Sequence, residues 1–425
     1  MLLVKRSGGP SQRSDTRETR TVRSTSNARL RKVLVGHNFY RLAARSGEDA
    51  VYAAECSLLE RSGLEVIRFE KHSEALFKQG TAARIRAARD VTFSRTVYRE
   101  LTELLRSHRP DIAHFHAHFP LLSPSAFRAC MDAGIPTVVT LHNFRLNCAA
   151  GTLFRNTKIC EKCWGGAPWP AIRHRCYQQS FLASAAAVRA QLAYRQLIKR
   201  GVWIDQYIAL TEFARAKHVE IGIPEERIAV KGNSVLDPPQ MGAGAGEYVL
   251  FVGRLGPEKG IQTILEAWQI LGATAPKLRM VGEGPLAQEI LSKRAAHNLN
   301  IELLGGQSKT AVMELMQNAC MIVFASRWYE GFPLVIVEAL ACGTPVLGSR
   351  IGGIPELIVE GLTGALFPPA NAEALAQGVM RLLQLHESNG NVRVNCRNEF
   401  ERRHSPGQNA RALFDIYNGV LERRG

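Results

Sequence analysis

After Lys32, short apolar runs rich in β-branched residues alternate with helical stretches along almost the whole chain. In the first half, runs at 32–36, 65–70, 111–115, 137–141, 205–210 and 228–231 read as strands, with helical segments such as 50–61 and 94–107 between them. Unbroken short apolar runs belong to strands buried on both faces, and strands separated by helices pair in parallel. The pattern stops in a Pro/Gly-rich stretch after Asp237, which reads as a linker over 238–247. It restarts with runs at 248–254, 278–281, 301–304, 321–325 and 345–348. The expected fold is α/β: two Rossmann-like, doubly wound parallel-sheet domains, 32–237 and 248–404, whose strand ends face a shared cleft. A final helix within 405–425 is expected to pack back toward the N-terminal domain.

Charge alters this picture mainly at the start. Lys and Arg outnumber Asp and Glu by 54 to 38, a formal net charge of +16, and residues 1–32 contribute +7 of it. Segment 1–31 is polar, lacks apolar periodicity and reads as a disordered basic tail rather than a secretory signal. No uninterrupted run of about 18 apolar residues is present, so no membrane span is expected. Nine cysteines without a secretion signal suit a reducing cytoplasm. No nucleic-acid-binding motif accompanies the basic charge, and a nucleic-acid partner is not expected.

The second half carries the strongest candidate chemistry. The run 248–254 leads into Gly253-Arg254-Leu-Gly-Pro-Glu-Lys259-Gly260 and a helix. Two cations in a Gly/Pro loop before a helix N-terminus suit a diphosphate: Arg offers a forked donor set, Lys a point charge, and the helix end free N–H groups. The run 321–325 leads into Glu330-Gly331-Phe332-Pro333 and a helix bearing Glu338. Carboxylates accept paired hydrogen bonds from the diols of ribose and pyranose rings. Gly282-Glu-Gly284-Pro285 and Gly352-Gly353-Ile-Pro-Glu356 add two more glycine turns at strand ends, the former a place for a nucleobase.

These motifs together resemble the donor domain of the retaining family 4 glycosyltransferases of the GT-B fold (group 1 glycosyl transferases). The resemblance implies that Arg254 and Lys259 hold the donor diphosphate, that Glu330 contacts the transferred sugar with Gly331 and Phe332 presenting main-chain donors, and that Glu338 binds the ribose. It implies a nucleotide-diphosphate-sugar donor, a sugar or lipid-linked acceptor, and a role in cell-surface polysaccharide or glycolipid synthesis. No cofactor is expected for catalysis, because the two cations bring the charge that a divalent ion would. A phosphorylase or epimerase on the same scaffold, and a catalytically inactive sugar-nucleotide-binding or scaffolding protein, are the competing readings.

In the first half the family usually carries a Gly-Gly pair where this chain has Ser46-Gly47, which leaves Gly47 to approach the donor phosphate. His142, at the end of the run 137–141, resembles the active-site histidine of the family. His114, His116 and His118 alternate toward one side of a strand, suiting packing or acceptor contacts more than a metal triad; His116 is the acceptor-side candidate. The insertion 143–177 holds Cys148, Cys160, Cys163 and Cys176, a set able to close a structural zinc site or to remain as packed thiols or a labile disulfide. The helical stretch 181–200 carries Arg189, Arg195, Lys199 and Arg200. It can cover a core or lie on an anionic membrane, which would place the protein at the inner face of the cell membrane.

Overall fold

A computed structural model describes residues 30–40, 47–74, 80–201, 203–244, 246–388 and 391–424. Most of the basic N-terminal segment and Ser46 lie outside the described residues. The first sheet contains β1 (Lys32–Phe39), β2 (Glu65–His72), β3 (Ile112–Phe115) and β4 (Thr137–Leu141). A small antiparallel hairpin follows, β5 (Phe154–Arg155) with β6 (Lys158–Ile159), before β7 (Gln206–Ala209) and β8 (Ile228–Val230) return to the sheet. The second sheet is built from β9 (Tyr248–Val252), β10 (Lys277–Val281), β11 (Ile301–Gly305), β12 (Met321–Phe324), β13 (Val346–Ser349) and β14 (Gly364–Phe367).

Both large sheets are parallel and six-stranded, in the orders β2-β1-β3-β4-β7-β8 and β11-β10-β9-β12-β13-β14. Each order reverses direction once, between β1 and β3 in the first sheet and between β9 and β12 in the second. At such a switch the two following connections leave toward opposite faces and open a crevice at the strands' carboxyl ends. The two crevices are where any shared site must lie.

β3, β4, β7 and β12 are buried at every position, as expected of strands covered on both faces. Packing is close enough for glycine to be required inside a strand: a Cβ at Gly36 of β1 would stand 2.3 Å from Cδ1 of Phe115 on β3. In the second domain Phe251 and Trp268 are fully buried among Ile264, Met280 and Val323. The last helix, Pro406–Arg424, leaves the second domain and places Leu413, Tyr417 and Val420 against Val33, Val35 and Tyr52 of the first. The helix Phe181–Arg200 buries Ala187, Val188, Tyr194 and Leu197, so its main face covers the first core. Among the described residues no helix is long and apolar enough to cross a membrane.

Candidate functional site

The loops at the second switch point fit backbone against backbone, which explains their glycines. A Cβ at Gly260 would stand 1.9 Å from the carbonyl oxygen of Ala325, and one at Gly282 2.0 Å from that of Gly253; both residues also have positive φ, 70° and 136°. Gly284 lies as close to Leu255, 2.4 Å from its oxygen. Backbone hydrogen bonds run from Gly253 N to Val281 O (3.0 Å), from Leu255 N to Glu283 O (2.9 Å) and from Arg327 N to Glu258 O (2.8 Å). Side chains at these positions would push the turns apart.

This packing brings the expected cation and acid together across the switch. Lys259, in the turn after β9, donates from Nζ to Oε1 of Glu330, in the turn after β12, at 2.6 Å. Ser326 Oγ donates to the same oxygen at 2.5 Å. The pair is nearly closed off from water, at 17% and 10% side-chain exposure, and Lys259 Nζ also sits 5.2 and 5.3 Å from the ring centroids of Phe324 and Trp328. Charge-assisted bonds of this kind are short and strongly oriented. Arg254 is different: its guanidinium is 67% exposed and only loosely joined to Glu258, at 3.6 Å, which leaves it available to an anion in the crevice. Glu338 lies on the helix Leu334–Ala341, half-buried, where burial raises its carboxyl and Lys309 opposes the rise. Among the described residues it is joined to neither Lys259 nor Glu330.

The loop 330–333 also meets the first domain. The nearest atom to a Cβ built on Gly331 is the carbonyl oxygen of His142, at 3.2 Å. Thr211 Oγ1 donates to Gly331 O at 3.3 Å. Phe332 lies over Gly232, whose Cβ would stand 2.5 Å from the ring, and Pro333 precedes the helix that carries Glu338. Glu356 accepts from Glu212 N and Phe213 N, both at 2.7 Å, at the start of the helix Glu212–Val219 in the first domain. A carboxylate at a helix N-terminus satisfies free N–H groups and the positive end of the dipole together.

On the first-domain side Gly47 opens the helix Gly47–Arg61, and a Cβ there would meet no atom of the described residues within 4 Å. His142, half-buried at the end of β4, donates to or accepts from His116: His142 Nε2 and His116 Nδ1 are 2.9 Å apart. Burial, with His116 alongside, keeps His142 well below the usual imidazole range. The three alternating histidines part company because β3 ends at Phe115. His114 and His116 meet Glu55, whereas His118 packs against Phe127 and Tyr194, its Nδ1 without a partner among the described residues. Glu55, His114 and His116 are the one set among the described residues spaced for a metal ion. The ammonium of Lys231, 3.0 Å from Glu55 Oε2, already balances that carboxylate. Next to His142 is a small cavity lined in part by Tyr40, Glu48, Asn143 and Arg145. Among the described residues Glu48 Oε2, buried there, has no partner, and burial raises its carboxyl.

The four cysteines of the insertion are free and half-buried. Burial and the neighbouring Cys148, Cys163 and Cys160 push the Cys176 thiol up to about 11. No three of their sulfurs lie together as closely as the ligand atoms of Glu55, His114 and His116 do. The insertion leans on the second domain through Phe154 against Trp328 and Phe144 against Tyr329, with ring centroids 6.3 and 6.4 Å apart. Residues 327–329, just before Glu330, are thus walled by aromatic rings.

Two doubly wound domains with facing switch points, one offering Lys259 and Glu330 and the other His142, define the GT-B class. The profile "Glycosyl transferases group 1" matches residues 240–411, and the profile "Glycosyl transferase 4-like domain" matches residues 29–234. The chain belongs to the group 1 glycosyltransferases of family 4 type.

N-acetyl-alpha-D-glucosaminyl L-malate synthase of Bacillus anthracis is 31% identical over 174 residues, 40% of this chain and 44% of that protein. The D-inositol 3-phosphate glycosyltransferase of Saccharomonospora viridis is 26% identical over 325 residues, 72% and 70% of the two chains. Several other curated relatives are matched over less than half their length, for example 39% of a Methanocaldococcus jannaschii glycosyltransferase that is 33% identical. Among solved structures, HepE of Anabaena in complex with UDP is similar in fold, with a TM-score of 0.66, 15% identity, and 92% of this chain and 100% of that one covered.

Proposed function

We propose that this chain transfers a hexosyl group, with retention, from a nucleoside-diphosphate sugar to an acceptor hydroxyl in cell-surface polysaccharide or glycolipid synthesis. The observation that carries the reading is the Lys259–Glu330 pair at one switch point, with the adjoining Gly331 held against His142 at the other. In the proposed reaction the bond between the anomeric carbon and the diphosphate oxygen breaks through an oxocarbenium-like state. The acceptor oxygen bonds to that carbon from the same face, and the acceptor proton passes to the departing phosphate oxygen. Lys259 and Arg254 stabilise the charge that collects on the diphosphate, as fixed cations do best in a water-poor cleft. Glu330 receives the hydroxyls of the transferred sugar, Glu338 those of the ribose, and no protein nucleophile takes part. A panel of nucleotide sugars, beginning with UDP-glucose (a ligand of the Anabaena relative), tests this. Donor hydrolysis or transfer with one of them is the expected result, and nucleotide-sugar binding without turnover on any acceptor would favour the inactive scaffold instead.

Two finer proposals have their own tests. Trp169, Phe181 and Leu182 are 60%, 57% and 80% exposed, near the exposed Arg173 and Arg175, a combination suited to an anionic membrane surface bearing a lipid-linked acceptor. Retention on phosphatidylglycerol vesicles, lost in Phe181→Ser/Leu182→Ser, supports it; equal affinity for phosphatidylcholine vesicles overturns it. A structural zinc on Cys148, Cys160, Cys163 and Cys176 predicts one zinc per purified chain, and metal-free protein that melts identically with and without chelator refutes it.

A further inference from the structure

The buried polar groups behind His142 form one continuous line that the transfer reaction leaves unassigned. Lys231, just after β8, donates from Nζ to Glu55 Oε2 at 3.0 Å and to Asn409 Oδ1 at 3.1 Å. Glu55, on the helix Gly47–Arg61, meets His116 Nε2 through Oε1 at 3.1 Å, and His116 Nδ1 meets His142 Nε2 at 2.9 Å. Glu55, His116 and Lys231 are each at most 5% exposed. Among the described residues His142 Nδ1 has no protein partner.

Proton bookkeeping along this line has one solution. Burial alone would raise the Glu55 carboxyl, but the Lys231 ammonium and the hydrogen bond from His114 hold it well below the usual range, so it is a carboxylate and only accepts. His116 must therefore carry its hydrogen on Nε2. Burial, against the pull of Glu55, lowers His116 to about 4, so at neutral pH the ring has a single N–H and its Nδ1 is an acceptor. His142 must then donate from Nε2, which leaves its Nδ1 bare.

We propose that Glu55, anchored by Lys231, is a positioning residue that acts through His116 to fix His142 as the Nε2–H tautomer, so that its bare Nδ1 accepts a hydrogen bond from a hydroxyl of the bound sugar. The last clause rests on the glycosyl-transfer reading; the tautomer does not. The anchor spans the fold, since Asn409 lies on the final helix and Tyr417 of that helix meets His114 Nδ1 at 2.8 Å. The orientation of His142 is thereby tied to the seating of the C-terminal helix.

Nitrogen-15 NMR of histidine-labelled, ligand-free protein tests the tautomer without any substrate, the His142 signals being assigned by their loss in His142→Phe. The expected result is a protonated Nε2 and an unprotonated Nδ1; the opposite tautomer or an imidazolium at pH 7 overturns the proposal. Glu55→Gln, which keeps the shape and removes the charge, is expected to mix the tautomers and lower kcat roughly 10- to 100-fold, the scale at which orienting partners of active-site groups act. Because a lone Lys231 can unfold that variant, Glu55→Gln/Lys231→Met removes both charges at similar volume. A folded double variant with mixed tautomers and low kcat supports the proposal, and one with the wild-type tautomer and kcat refutes it. Should the sugar-transfer reading fail instead, the tautomer and its response to Glu55→Gln would still be observed while no nucleotide sugar turned over.

Discussion

Lys259→Ala is expected to lower kcat/KM by about 10³-fold, or about 4 kcal/mol of transition-state stabilisation, the scale reached when one preorganised electrostatic group is removed from an active site. Lys259 is the cation held at the switch point and shielded from water, where a charge acts with least screening. Its loss also strands the Glu330 carboxylate with Ser326 as its one remaining side-chain donor among the described residues, a destabilisation of about 1–3 kcal/mol. Low activity could therefore be blamed on folding, and a second variant separates the causes. In Lys259→Gln a neutral amide replaces the ammonium and can still donate to Glu330, so the melting temperature should lie nearer wild type than that of Lys259→Ala while transfer stays low. Thermal melts and steady-state rates of the two variants check this. Near-wild-type transfer in Lys259→Gln would remove Lys259 from the proposed chemistry.

Glu330→Gln is expected to lower kcat by about 10²-fold while changing nucleoside-diphosphate affinity much less. The amide retains an oxygen for Ser326 but loses the charge that fixes Lys259, and it accepts hydroxyl hydrogens more weakly than a carboxylate. The transferred sugar, rather than the nucleotide, should feel the change. Calorimetric titration with the nucleoside diphosphate that the panel identifies, set beside kcat, reads the split. A fall in nucleotide affinity matching the fall in kcat would move Glu330 from the sugar to the diphosphate.

The sheet architecture was legible because buried parallel strands write unbroken apolar runs, and those near Val33, Val138, Val249 and Ile322 stand out between helices. β14 escaped because it is a four-residue strand that begins with Gly364, and the hairpin β5–β6 because two-residue strands leave no period to detect. In the site, Lys259 and Glu330 were conspicuous as charges in glycine-bordered turns at strand ends. Glu55 and Lys231 were not, since each is a solitary charge and their contact spans 176 residues of sequence. One signal was present: Lys231 directly follows an apolar strand, a place where a buried charge needs a partner. The histidine alternation holds only as far as a strand extends, and β3 stops at Phe115, so His118 leaves the company of His114 and His116.

The covalent path between the two halves runs twice, once outward through residues 238–247 and once back where His404 leads into the helix Pro406–Arg424. A single tether would let the second half swivel in any direction. With two, the permitted motion is rotation about the line joining them, as in a door hung on a pair of pins. Cleft opening for donor entry should then follow one swing, and cutting the chain near residue 405 would leave the linker as the sole covalent tether and let the second half swivel, the final helix staying on the first domain.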